Sequence, residues 1–298
     1  MTSITPKIEE LAAEIDRLAT EKPHAASLLQ AFGPLVLAQH RWLLTRQETT
    51  RTFPIDPLKY QGGISLIQQC RLFLPEDPWQ DAGASVANAI GQGFPQFAED
   101  MQRLSQHIRK ESYDCYAMCD SSDDNDQFAD AAKKLGIDPV ALHLFQRYLT
   151  KMMLTKRAQD MATELASLSW KKGYCPICDS FPHLAIIREK GLRWLQCSTC
   201  SHQWSFPRLT CPHCDHEDAQ ETNYLFVEGN KEDTAFTCDK CLKYLITSNQ
   251  SGNIRQSHAE LTALSLALLD LILQEKGFLP MAECEWNTFT APQEKKEP

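Results

Sequence analysis

Four Cys-x-x-Cys pairs lie within 67 residues of this chain: Cys175/Cys178, Cys197/Cys200, Cys211/Cys214 and Cys238/Cys241. Two cysteines at this spacing let the backbone turn so that both sulfurs point at one ion, and a second such turn completes a tetrahedron. Eight ligands make two complete sites. Sequential pairing joins Cys175, Cys178, Cys197 and Cys200 in one site and Cys211, Cys214, Cys238 and Cys241 in the other. That order keeps both closed loops short and their closure entropy small. A cross-braced order, first pair with third, is the alternative.

Four thiolates leave a net −2 on a divalent ion and no open position for water or substrate, so neither site reads as a hydrolytic centre. Zinc and iron both accept this donor set, and spacing does not separate them. Zinc would be structural, whereas iron could also pass an electron as in a rubredoxin. Asp179, Ser201, Asp215 and Leu242 follow the second cysteine of each pair. This position can demand positive φ; aspartate tolerates it, and Leu242 would be strained there. The fourth turn is therefore expected to be less regular. His183, His202, His213 and His216 read as surface or supporting residues. Cys115 and Cys119 share a helix face as a thiol pair, with His107 near in sequence. Cys70 and Cys284 read as packing residues.

The chain has 298 residues and a formal net charge of −9. Ten Lys/Arg balance ten Asp/Glu between Trp170 and Gln256, so the cysteine-rich part is neutral. That speaks against a nucleic-acid-binding zinc ribbon, although Trp194, Trp204 and Phe206 could stack on bases. The start lacks a secretory signal, and reduced thiols in this number fit a cytoplasm. The most apolar run, Leu261 to Leu273, is interrupted by Asp270 and too short to span a bilayer.

Residues 1–168 read as an all-α domain. Ile8, Leu11, Ala12, Ile15 and Leu18 mark a first helix, with Pro6 early in its turn. Further helices are expected over Pro23 to Gln47, disturbed at Gly33-Pro34, over Ile64 to Phe73, Trp79 to Ile90 and Phe94 to Lys110, and from Asp138-Pro139 to Leu168. Ser121 to Asp126 reads as a loop. Residues 169–256 read as two tandem rubredoxin-like or zinc-ribbon-like modules, each ordered knuckle, hairpin, knuckle. Their strands are expected over Leu184 to Arg188, Leu192 to Gln196, Tyr224 to Val227 and Thr234 to Thr237. Residues 257–298 read as one helix, His258 to Gln274, then a tail. Its signals are a Ser257/Glu260 capping box, an apolar stripe of Leu261, Leu264, Leu268, Leu271 and Ile272, and a stop at Gly277.

The segments Trp170 to Cys178, Gly191 to Cys200, Cys211 to Cys214, Thr237 to Leu245, His258 to Asp270 and Glu275 to Phe278 together resemble the FdhE family of formate dehydrogenase accessory proteins. The ordered series is more specific than any one Cys-x-x-Cys. One departure is Asp179, where the family pattern usually has glycine. The resemblance implies a non-catalytic cytoplasmic protein needed for active respiratory formate dehydrogenase, one that contacts the catalytic subunit before export. It also implies rubredoxin-like knuckles that bind iron. A rubredoxin-like electron carrier is the remaining alternative.

Overall fold

Leu11 and Leu18 sit one above the other on the first helix, α1 (Ile8–Glu21), and both are buried. They appear in the computed structural model, which describes residues 7–46, 53–120, 125–227, 230–251 and 257–288. Pro6 and the tail from residue 289 lie outside the described residues. The chain forms two compact units that interleave along the sequence. One takes Met1–Lys171 together with the turns Cys175–Asp179 and Thr199–His202. The other takes Lys172–Tyr174, Ser180–Ser198 and Gln203–Pro298.

The first unit is helical, as its periodicity predicts. A 3-10 turn at Pro23–Ala25 leads into α2 (Ala26–Leu44), which runs unbroken through Pro34. The expected short helix at Ile64 to Phe73 is reduced to one turn, α4 (Leu66–Gln69), and an unexpected helix, α3 (Pro57–Gln61), precedes it. Asp56 initiates α3 by accepting from the Leu58 and Lys59 amides, a capping signal hidden in a proline-rich loop. Next come α5 (Trp79–Gly93), α6 (Ala98–Arg109) and α7 (Cys115–Asp120). Asn125 and Asp126, expected in a loop, begin α8 (Asn125–Leu135). Asp138 caps α9 (Pro139–Asp160) through the Val140 amide at 2.7 Å, with Pro139 at the first helical position. Leu142, Phe145, Leu149, Met152 and Met153 of α9 are buried, as their spacing requires. The helix stops at Asp160, short of Leu168, and a single turn, α10 (Ala162–Leu165), follows.

Arg157 is the buried ionic tie of this unit. Its guanidinium bonds Asp77 at 2.6 Å, its Nε donates to the Leu72 carbonyl, and it stacks over Phe53.

The second unit is built on one mixed seven-stranded sheet. Its strands are β1 (Pro182–Ile187), β2 (Arg193–Cys197), β3 (Gln203–Ser205), β4 (Thr222–Val227), β5 (Asn230–Cys238), β6 (Lys243–Asn249) and β7 (Leu279–Pro280). The four strands expected from sequence are present. β3, β6 and β7 are additional, and the first two extend the repeat: each copy runs knuckle, hairpin, knuckle, strand. The order β3-β2-β1-β6-β5-β4 sets the copies side by side. They meet where β1 pairs parallel to β6, Leu184 opposite Ile246 and Ile187 opposite Asn249.

The C-terminal helix departs from expectation. It is two helices, α11 (Ala259–Ser265) and α12 (Ala267–Glu275), broken at Leu266. The break shifts the helical phase, so Leu266, Leu269 and Leu273 turn inward while Leu268 and Leu271 are exposed. His258 is the N-cap, and no side-chain capping bond forms there, because the Glu260 carboxylate accepts from Gln196 Nε2 of β2. Asp270 looked like an interruption. It is buried and accepts a 2.6 Å hydrogen bond from the Tyr244 hydroxyl, and burial pushes its carboxyl up to about 7. Gly277 stops α12 with φ +88°.

Gly93 ends α5 where a Cβ would overlap the Ala31 carbonyl of α2. Gly93→Ala should therefore lower the stability of the helical unit by about 2 kcal/mol, as overpacking generally does, read as a lower urea midpoint by circular dichroism.

Candidate metal centres

Each cysteine pair occupies a tight turn next to the sheet. Cys175/Cys178 and Cys211/Cys214 precede β1 and β4, while Cys197/Cys200 and Cys238/Cys241 form the turns from β2 to β3 and from β5 to β6. In both leading turns the residue after the pair donates back across it: Asp179 N to Cys175 O at 3.1 Å, and Asp215 N to Cys211 O at 3.0 Å. The chain leaves each turn through a left-handed residue. Asp179, Ser201, Asp215 and Leu242 have φ of 69°, 56°, 56° and 54°. The fourth turn is thus as regular as the others, contrary to the expectation for it. Leu242 adopts the strained conformation with its side chain 54% exposed.

The sulfurs gather in two tetrads in sequential order, Cys175, Cys178, Cys197, Cys200 and Cys211, Cys214, Cys238, Cys241, all ligand atoms of each tetrad lying within 4.8 Å of one another. The cross-braced order does not occur. Cys211 Sγ is 3.8 Å from Cys241 Sγ, and Cys214 Sγ is 3.7 Å from Cys238 Sγ. Thiolates bound tetrahedrally at about 2.3 Å from zinc stand about 3.8 Å apart, so the second tetrad already has the shape an ion requires. In the first, Cys175 and Cys200 are 3.4 Å apart, and the Ile177 amide points at Cys175 Sγ. None of the twelve cysteines is joined in a disulfide.

The tetrads differ in exposure. The first is wholly buried, whereas Cys214 and Cys241 of the second are half-buried. Burial pushes the Cys211 thiol upward and Cys241 to about 12. Cys214 moves the other way: against its own burial, the His216 backbone and its neighbouring thiols stabilise its anion. An entering ion takes the place of the protons those thiols share.

No histidine joins either tetrad. His202 is kept neutral by burial, its pKa falling to about 4. His183, read as a surface or supporting residue, is buried on β1 beside Glu260 and edge-on to Trp286. Cys115 and Cys119 lie together on α7, but no third metal-binding group forms among the described residues. Burial raises these two thiols to about 12 and about 11, which makes them poor nucleophiles at neutral pH. Trp204 and Phe206 are buried in the sheet unit, with Trp204 Nε1 donating to the Lys172 carbonyl, so they offer no face to a base.

The family model for the FdhE central domain matches residues 174–208, which contain the first tetrad. Two FdhE homologues match part of the chain. That of Aquifex aeolicus is 30% identical over 116 residues, 37% of this chain and 40% of its own length. That of Pseudomonas aeruginosa is 36% identical over 117 residues, 35% and 36% respectively. Over this cysteine-rich part the chain is similar to FdhE proteins. It spans about two fifths of the length of the FdhE homologues it matches in sequence. In fold it is similar to the crystal structure of the FdhE protein from Pseudomonas aeruginosa, with a TM-score of 0.58 and 21% identity over 93% of this chain and 95% of that one.

Leu242→Gly should relieve the left-handed strain at the fourth turn, worth about 1–2 kcal/mol before the entropy that glycine loses. The expected result is a melting temperature at or above wild type for the metal-loaded protein in calorimetry. Replacing Cys175 and Cys178 with serine should remove one ion per chain and leave the second tetrad loaded, read by metal analysis and native mass spectrometry.

Proposed function

We propose that this chain is a non-catalytic accessory protein for the maturation of respiratory formate dehydrogenase. In this reading it works in the cytoplasm, binds the catalytic subunit before export, and carries one metal ion in each cysteine tetrad. The observation that carries the reading is the pair of sequential tetrads on one duplicated sheet, in a chain similar to FdhE proteins over that part. Cys175, Cys178, Cys197 and Cys200 would hold one ion, and Cys211, Cys214, Cys238 and Cys241 the other. A bound ion supplies cross-linking of two turns and, if it is iron, a one-electron couple.

The donor sets support a role other than turnover. Four protein thiols fill a tetrahedral ion, so no coordination position remains for a substrate. The helical unit would add contact surface for the partner. None of its described helices is long and apolar enough to cross a membrane.

Two experiments test this. Tagged protein purified from cells should retain the formate dehydrogenase catalytic subunit. A strain lacking the gene should lose respiratory formate dehydrogenase activity, and the wild-type chain should restore it. Unchanged activity in the deletion strain would overturn the proposal. Anaerobic purification with metal analysis and an absorption spectrum separates the metals: iron gives a red protein with rubredoxin-like bands, and zinc a colourless one.

A further inference from the structure

Arg193 of β2 is only 2% exposed, among the most deeply buried large side chains in the protein. Arginine is rarely buried to this degree without an opposite charge, because removing its hydration is expensive. Its guanidinium lies between two rings, 5.3 Å from the centroid of Phe206 and 5.2 Å from that of Phe236. Nη2 donates to the carbonyls of Pro207 and Thr210. Nε and Nη1 have no hydrogen-bond partner, and no carboxylate pairs with the group among the described residues. The neighbouring Arg208 adds a like charge, while Tyr224, whose hydroxyl donates to the Arg208 carbonyl, favours the charged guanidinium without bringing a carboxylate to it. Burial lowers the Arg193 pKa only to about 10, so the group stays cationic at neutral pH.

The anion that could balance it lies one residue from its acceptor. Thr210 immediately precedes Cys211, so the bond from Nη2 to the Thr210 carbonyl sets the guanidinium one peptide from the second tetrad. Four thiolates on a divalent ion carry a net −2. In a region from which water is excluded, that charge and the guanidinium stabilise each other more than an exposed pair would.

We propose that Arg193 is the built-in countercharge of the second tetrad, a positioning residue that holds the Cys211 turn by its carbonyl and offsets the charge of the loaded site. This rests on the reading that the second tetrad binds a metal ion. Arg193 also ties the two copies of the repeat together, since it belongs to β2 of the first copy and serves the site of the second.

The test uses the full chain loaded with zinc, a competing chromophoric chelator, and alkylation mapping to show which cysteines are released. Arg193→Met keeps much of the volume and removes the charge; Arg193→Lys keeps the charge and loses the planar stack. Loss of such an outer partner typically weakens a metal site by roughly 10–100-fold. That is the drop expected at Cys211, Cys214, Cys238 and Cys241 in Arg193→Met, with the first tetrad unchanged. Arg193→Lys should recover most of the affinity. Wild-type affinity in Arg193→Met, or a lysine variant as weak as the methionine one, would overturn the proposal. A role in packing alone predicts the reverse order, with methionine the milder change. If Arg193→Met does not fold, arginine-labelled wild-type protein gives the answer by NMR. The Arg193 Nε–H resonance should shift when the second ion is chelated, and an unmoved resonance overturns the idea. A wild-type chain that never takes up a second ion sinks the metal reading itself. That result is distinct from two ions held equally well with and without the arginine.

Discussion

Every strand of the sheet unit except β7 begins or ends near a cysteine turn, and each turn depends on one left-handed residue. Without positive φ at Asp179, Ser201, Asp215 and Leu242 the chain would not fold back across the pair, and the two sulfurs would not converge. Three of these positions hold small polar residues that tolerate the conformation, and the fourth holds an exposed leucine that does not. The geometry is therefore imposed by the tetrad and the sheet together. The β5 to β6 ladder grips both sides of the Leu242 turn, with Cys238 paired to Lys243.

This dependence explains how a modest sheet holds together. The sheet buries Leu184, Ile186, Leu195, Phe236 and Ile246, and part of what is buried between it and the C-terminal helices is polar. Tyr244 and Asp270 share a hydrogen bond, Gln274 donates to that hydroxyl and to the Asn287 carbonyl, and Gln196 donates to Glu260. Such networks stabilise only when their members are satisfied, so they add specificity of arrangement to a small core. They also fix α11, α12 and the segment through Asn287 to the sheet, where the apolar pattern alone would have set them differently.

Much of this was legible in the cysteine spacing. Pairs at fixed intervals announce the turns, and short loops favour the sequential tetrads that the structure forms. The long helices were equally plain, because Leu142, Phe145, Leu149 and Met152 repeat with the helical period. What escaped has physical reasons. β3 is three residues long, too short to show a run; β6 does carry one, Tyr244-Leu245-Ile246-Thr247, but it follows a cysteine turn at once and lies outside the knuckle, hairpin, knuckle repeat. α8 begins in an acidic polar stretch with no apolar stripe at its start. The break at Leu266 has no proline or glycine to announce it, and it reverses the roles of Leu268 and Leu271. No sequence signal singles out Arg193; the positions of Phe206, Phe236 and Thr210 show that it is enclosed.

The parallel seam between β1 and β6 has one more consequence, for the order of assembly. Hairpins β1–β2 and β4–β5 join residues close in sequence and can form early. The seam joins Leu184 to Ile246, across the whole intervening repeat. Contacts so distant along the chain are slow to form, because a long loop must close before they contribute. Each copy can therefore acquire its turns while still alone. The unit becomes complete only when the last strand of the second copy arrives beside the first strand of the first, late in synthesis and in folding alike.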